Sequence, residues 1–452
     1  MTLSPRRLRP VLLSAASAMC LLATGPALAE TLQEAMVEAY TSNPQLLAER
    51  ARLRATDEEL AQANAGWRPK VSITGSAGKG RDYGNDINTD SWSAEITATQ
   101  PIFSGGRVLA QREIAKATIR AGRAGLAGVE SNTLLSAVTA YMNVVRDLSL
   151  VELSRNQIDV LSRQRQAAQD RFDVGEITRT DVAQADAALS GAQTGLIAAQ
   201  ANLEASRAAY VRIVGHPPEK LEAAPALPAL PKTLDEAIET ALRLNPSLVA
   251  AREQQLAAEA GVDLAIGALL PSVNLTASYS RGEVNSDSLL SPDRETDAGS
   301  IGLGATVPLY QGGAEWSSIR QAKQTNSQTR LLATLAERQT VEAVTNAWEG
   351  LAAARSSIQA AEDQVHASEI AYEGVRQVGA RTTLDVLNAE QALLDARSTL
   401  VTNKANVYIA AYSLLAAMGH LSASQIGLPV DLYDPVPHAD SVAGQLIGVG
   451  ED

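Results

Sequence analysis

By residue type alone, this 452-residue chain has few candidates for chemistry: four histidines, one cysteine and one glycine-lysine run. His216, His366, His420 and His438 are scattered without metal-ligand spacing, and His216 and His420 each follow a glycine at the end of a helical pattern, where a ring caps or faces solvent. Cys20 sits near the N-terminus with no partner for a disulfide or thiolate cluster. The stretch GSAGKGRDYG, residues 75–84, resembles a phosphate loop only superficially. Its glycine spacing is wrong, Lys79 is followed by Gly80 rather than Ser or Thr, and it precedes a strand. No cofactor, no metal and no catalytic constellation is expected. What remains is one constellation written twice: DVGEITRTDVAQADAALSGA from Asp173 and QVGARTTLDVLNAEQALLDA from Gln377.

Each copy puts Val-Gly before Thr and then Asp, followed by an alanine-rich helix. Gly175 and Gly379 permit a backbone corner, while Thr178 and Thr382 can cap the returning helix with Asp181 and Asp385 three residues on. Such corners carry charge and hydrogen bonds rather than bond-making groups. A ring of them, one set per chain, would place Arg381 and Asp385 around a narrow opening.

Long helices must position those corners. From Arg107 to Val174 no proline interrupts the helical pattern, a run of about 100 Å at 1.5 Å rise per residue, and residues 314–378 match it. After the first corner the seam reads Val182, Ala185, Leu189, Ala192, Leu196, Ala199, Leu203, Ser206, Tyr210 and Ile213. Its copy runs Val386, Ala389, Leu393, Ala396, Leu400, Asn403, Val407, Ala410, Leu414 and Ala417. Before the second corner, Leu351, Ala354, Ile358, Ala361, Val365, Ser368, Tyr372 and Val375 keep the same three-four rhythm. These are coiled-coil seams, and alanine at alternate positions lets two helices approach closely as antiparallel hairpins.

The duplication spans nearly the whole chain. TLQEAMVEAYTSNPQ from Thr31 recurs as TLDEAIETALRLNPS from Thr233, TQPIFSGG from Thr99 as TVPLYQGG from Thr306, and VGHPP from Val214 as MGHLS from Met418. Gly105-Gly106 and Gly312-Gly313 are read as strand-to-helix turns. The expected organisation is a first repeat over 30–215, a proline-rich linker over 216–232, a second repeat over 233–420 and an equatorial and tail segment over 421–452.

Each repeat contains two strands by alternation. Val71, Ile73, Gly75 and Ala77 oppose Ser72, Thr74 and Ser76; Trp92, Ala94, Ile96 and Ala98 oppose Ser93, Glu95, Thr97 and Thr99. The second repeat sets Val273, Leu275, Ala277 and Tyr279, then Ile301, Leu303, Ala305 and Val307, against small polar residues. Segments of about ten residues with one apolar face suit a tilted membrane strand. Long polar loops over 78–90 and 281–299 are expected at one end. Four strands cannot close a barrel when about eight is the usual minimum, so several chains must contribute to one wall.

Residues 1–29 read as an export signal: Arg6, Arg7 and Arg9, a short apolar run, then Ala27-Leu28-Ala29 for cleavage. A lipidated cysteine wants a small residue before it, and Met19 precedes Cys20. No other stretch reads as an apolar membrane helix, so membrane entry requires closed β structure. Loss of the signal removes three arginines and no acid, which makes the formal charge of −13 three units more negative and argues against nucleic acid. With 45% hydrophobic but only 4% aromatic residues, alanine-rich helix packing fits better than a ring-packed globular core.

The ordered set of duplicated strands and hairpins, the two Asn-Pro helices, PIFSGG with PLYQGG, and VGARTTLDVLNA resembles the TolC family of outer-membrane channel proteins. The likeness covers nearly all of the chain after the signal. It implies a mainly α chain with membrane β: long antiparallel coiled-coil hairpins, plus four strands per chain contributing to a trimeric, twelve-stranded outer-membrane barrel set in lipid. It also implies a periplasmic tunnel that docks onto a periplasmic adaptor and an inner-membrane ABC or RND transporter, for type I protein secretion or drug efflux in a Gram-negative bacterium. The lack of a lipid anchor tilts that expectation to secretion. By the same resemblance Arg381 links neighbouring chains at the closed tip to Thr180 and Asp181, and Asp385 forms an acidic ring. Asn388 stands where a second aspartate is expected, Arg376 where a tyrosine is, and Asp170 where a glutamine is; a charge pair of Arg376 with Asp181 is a possible replacement. The tips themselves, Val174, Gly175 and Glu176 with Val378, Gly379 and Ala380, are the expected adaptor contacts. A periplasmic coiled-coil adaptor is the alternative, but it would need no alternating strands of membrane length.

Overall fold

Thr31 opens the described chain as a helix start. Its hydroxyl accepts from the Glu34 amide while the Glu34 carboxylate accepts from the Thr31 amide, a reciprocal cap for α1, Leu32–Ser42. The computed structural model describes residues 29–84, 86–223, 225–287, 293–377 and 382–445. The export signal lies almost wholly outside them.

At Asn43-Pro44 the helix breaks, because proline cannot donate back into the preceding turn but fits the first position of the next helix. Asn43 Oδ1 accepts from the Gln45 amide to cap α2, Pro44–Ala65, and its Nδ2 donates to the Ile213 carbonyl at 2.9 Å. After the connector, the second copy repeats this: α5, Leu234–Leu244, breaks at Asn245, which caps α6, Pro246–Gly267, and donates from Nδ2 to the Ala417 carbonyl at 2.9 Å. One asparagine therefore caps a helix and holds the end of the returning helix of its own hairpin.

The connector is extended and anchored. Glu30 forms an isolated parallel bridge with Leu221, and the buried Tyr141 hydroxyl donates to the carbonyls of Glu30 and Glu222 at 2.9 and 2.7 Å.

Four strands form one antiparallel sheet in chain order: β1 Lys70–Asp82, β2 Ile87–Ser104, β3 Ser272–Ser286 and β4 Arg294–Thr306. Apolar residues meet across it, Val71 with Ala98, Ile73 with Ile96, Ala98 with Ala277 and Leu275 with Leu303. The other face pairs hydroxyls, Ser76 with Ser93 at 2.8 Å and Ser278 with Ser300 at 3.0 Å. The expected long loops are shorter than their polarity suggested: only residues 83–86 and 287–293 lie between strand ends. Cross-strand ion pairs, Lys79 with Asp90 at 3.0 Å and Arg281 with Glu295 at 2.6 Å, carry the ladder beyond the apolar band, where apolar alternation is no longer needed.

Helix α3, Arg107–Asp173, runs unbroken for 67 residues and returns as α4, Arg179–Val214. In the second repeat α7, Ala314–Gln377, runs for 64 residues and α8, Thr383–Ala417, returns. One 18-residue window inside α3 is apolar enough to cross a membrane by composition, a departure from the sequence reading. Half of it is buried, and α3 supplies Leu134, Ala137, Val138, Tyr141 and Val144 to the main core with α1, α2 and the ends of α4 and α8. That stretch is apolar because it crosses the packed girdle. Around the girdle the short α9, Val436–Ala443, lies on α2 through His438 and the fully buried Asp57, 3.1 Å apart.

Gly105 joins strand to helix where no side chain fits. Its φ is +63°, and a Cβ would come within 2.4 Å of the Gly267 carbonyl oxygen. Gly175 at the tip shares the left-handed backbone, φ +80°, with nothing within 4 Å. Gly175→Ala should therefore cost about 1 kcal/mol and Gly105→Ala about 3 kcal/mol. Thermal melting of the two purified variants checks the ranking.

Candidate functional site

The hairpin tips are the candidate site, and their construction starts from the seams. On α4 every seam position from Val182 to Ile213 is buried or half-buried in the single chain, with Val182, Ala185, Leu203, Tyr210 and Ile213 buried. On α7 Leu351 and Ala361 are buried and the remaining seam residues through Val375 are half-buried. Long, narrow hairpins follow from this packing.

At the first corner the chain leaves α3 through Val174, 72% exposed, and turns at Gly175. The Gly175 and Glu176 amides donate to the carbonyls of Phe172 and Arg171, both at 2.9 Å, and Arg171 pairs with Glu176 at 3.2 Å. Thr178 then starts α4. Its amide and hydroxyl donate to Asp181 Oδ2 at 2.9 and 2.7 Å. The Thr178 hydroxyl and then its amide hold the Asp181 carboxyl below the ordinary aspartate range, with Arg171 adding to them. Because the folded value is depressed, this cap is in place above the ordinary range and is lost as pH falls through the lower value. The second corner repeats the cap, with the Thr382 amide and hydroxyl donating to Asp385 Oδ2 at 3.1 and 2.9 Å. Val378, Gly379, Ala380 and Arg381 lie outside the described residues.

Thr180, Asn388, Asp170 and Arg376 are exposed, and Asp181 and Asp385 half-buried. Asp170 accepts from Gln166 at 2.9 Å on its own helix. Among the described residues Arg376 and Asp181 form no ion pair; Arg376 acts instead on Tyr372, whose hydroxyl it lowers. Among the described residues no group of three or more His, Cys, Asp or Glu is placed to hold a metal.

One residue stands out that sequence reasoning passed over. Glu390 on α8 is 6% exposed and accepts from Gln164 Nε2 of α3 at 3.1 Å, so it ties the second hairpin to the first. It also acts on Tyr372 of α7, whose hydroxyl is raised by burial first and by Glu390 next, with Arg376 opposing. Three helices thus meet on one carboxylate, one to two turns behind the tips. The available signal was the three-residue spacing of Leu387, Glu390 and Leu393, all buried, which makes Glu390 part of the buried stripe.

Residues 35–216 and 237–420 match the family described as outer membrane efflux protein. The chain is 36% identical over 427 residues to the outer membrane efflux protein BepC of Brucella suis, covering 94% of this chain and 92% of that one. It is 27% identical over 406 residues to the outer membrane protein TolC of Vibrio cholerae, covering 88% and 92%. The fold is shared with the Campylobacter jejuni CmeC outer membrane channel at a TM-score of 0.77 and 15% identity, over 92% of this chain and 89% of that one.

Replacing Glu390 by leucine should leave the part-buried Gln164 amide without its acceptor and cost about 1–3 kcal/mol. Glu390→Gln, which keeps an acceptor, should cost less. Melting curves of both variants, with cysteine-free cross-linking between α3 and α8 as a proximity measure, test this, and equal losses would contradict the linking role.

Proposed function

We propose that this chain, which belongs to the outer membrane efflux protein family, assembles as a trimer into an exit duct that spans the outer membrane and the periplasm. It is an outer-membrane channel protein and not an enzyme. The observation that carries the trimer is the sheet: four strands, apolar outward and polar inward, open at both edges and continuous with hairpins about 100 Å long. Three chains supply twelve strands, enough to close a water-filled barrel, and the hairpins continue the wall as a tunnel.

At its periplasmic end the tunnel narrows to the six hairpin tips. Three copies of Asp385 there form a ring of like charge that attracts multivalent cations, while Arg381 of one chain links to Thr180 or Asp181 of the next. Asn388 replaces one acidic ring by a neutral one, and Arg376 and Asp170 each put a charge where the family pattern has a neutral residue. Around Val174, Gly175 and Glu176 and around Val378, Gly379 and Ala380, a periplasmic adaptor docks and couples the duct to an ABC or RND transporter of the inner membrane. The cargo we favour is small molecules rather than secreted protein, the sequence-based expectation; the word efflux in the name of the Brucella relative supports that reading, while the names of two protease secretion proteins among the relatives, 27% and 26% identical, support the other.

Asp385 also caps α8, so its charge and its cap must be separated. Asp385→Asn keeps an oxygen acceptor for Thr382 and removes the charge. In planar bilayers it should weaken block by a trivalent cation about tenfold or more while the melting temperature stays put. Unchanged block would remove Asp385 from the gate. For cargo, deletion of the gene should raise intracellular accumulation of a fluorescent efflux substrate; an unchanged accumulation with a protein missing from the culture medium would return the assignment to secretion.

A further inference from the structure

Between its two ends, the polar face of the sheet carries a single charge. Hydroxyl contacts mark that face, Ser76 to Ser93 and Ser278 to Ser300. Taken at alternate residues, it runs from Ser72 to Gly80 on β1, Ser91 to Thr99 on β2, Ser272 to Gly282 on β3 and Thr296 to Thr306 on β4. Every residue in those runs is Ser, Thr, Asn, Gly or Ala except Glu95. Charge returns only at the ends of the face, with Lys70 toward the helices and Asp82 and Arg294 toward the loops.

Glu95 stands opposite Thr74 on one side and Ser280 on the other. Lys70 is four residues from Thr74, and Arg294, paired with Val284, is four residues from Ser280 in the other direction, each about 13 Å away along the strands. The carboxylate is exposed, accepts from the Thr97 hydroxyl at 3.3 Å and makes no ion pair among the described residues. Charges on the opposite face are arranged differently, since Lys79 pairs with Asp90 and Arg281 with Glu295. One exposed hydrogen bond within a strand adds little to stability, so folding does not account for a carboxylate here.

Duplication supplies a neutral copy of the same position. Thr74 faces Glu95 as Thr276 faces Gly302, so Gly302 shares the face and the height of Glu95. A Cβ at Gly302 would meet nothing within 4 Å. One repeat leaves the wall bare where the other places a charge.

We propose that Glu95 sets the ion preference of the barrel, favouring cations over anions in passage through the outer membrane. The inference rests on the three-chain duct above and adds to it a selecting charge at the end opposite Asp385. Twelve strands about 4.8 Å apart and tilted by about 40° form a wall of about 12 Å radius, which puts three carboxylates about 10 Å from an ion on the axis. With no cation near enough to cancel them, they raise the cation-to-anion ratio on the axis about fourfold in about 0.1 M salt, where screening acts over about 10 Å. In about 1 M salt, with screening over about 3 Å, the preference vanishes. Asp385 lies a hairpin length away, about 100 Å, so the two rings act independently.

Reversal potentials of the purified full-length channel in planar bilayers under a KCl gradient read this preference. Glu95→Gln keeps the size of the side chain and an acceptor for Thr97. It should lower the potassium-to-chloride permeability ratio about fourfold near 0.1 M and leave it unchanged near 1 M. Glu283→Gln removes a carboxylate from the opposite face, where Glu283 accepts from Trp92 Nε1 at 3.1 Å, and should leave the ratio as it was. Glu95→Gln combined with Gly302→Glu returns one charge per chain to the same face and height and should restore the ratio.

An unchanged ratio in Glu95→Gln overturns the proposal. So does an equal shift in Glu283→Gln, or a double variant that forms channels without recovering the preference. A parent chain that gives no trimer on unboiled gels and no channel overturns the oligomeric reading instead.

Discussion

Backbone hydrogen bonding in a medium without water is the constraint on which this structure depends. An amide or carbonyl left unpaired in hydrocarbon costs several kcal/mol, and a four-stranded open sheet exposes two whole edges of them. The alternation of this sheet fits a lipid-facing outside and a wet inside, but its edges do not fit lipid at all. The chain is therefore incomplete in a membrane without other strands. Internal duplication supplies a simple answer, because a junction that works once inside the chain can be repeated between chains.

Below the sheet the same duplication governs the helices. Each repeat turns at an Asn-Pro corner whose asparagine caps one helix and holds the last carbonyls of another, so the girdle and the hairpin share a single fixed point. Each hairpin then extends by small-residue seams and ends in a threonine-aspartate cap. The copies are not equal. Hairpin two brings the buried Glu390 against Gln164 of hairpin one, whereas the corresponding residue of the first repeat, Asp186, is exposed and pairs with Arg165 of its own hairpin at 2.9 Å.

Much of this was legible in the sequence, for physical reasons that differ by element. The seams from Val182 and Leu351 could be read because a three-four rhythm survives over many turns, and the strands because Val71 to Ala77 alternate cleanly. The strand ends were not legible: Lys79, Asp90, Arg281 and Glu295 look like loop by polarity, yet they pair across the ladder. Asp181 and Asp385 were visible as caps from the threonine three residues before them. Glu390 was missed because a glutamate in an amphipathic helix ordinarily faces water, and its burial depends on α3, far away in sequence. The apolar window of α3 likewise reflects tertiary packing against α1 and α2 rather than lipid.

Electron cryo-microscopy of the purified chain in lipid nanodiscs tests the central claim most directly, because it images the edges of the sheet. The account predicts a three-fold particle with a closed twelve-stranded barrel in the bilayer and a helical tube about 100 Å long beneath it. A single chain with an open sheet, or a barrel closed by any other number of copies, would contradict it.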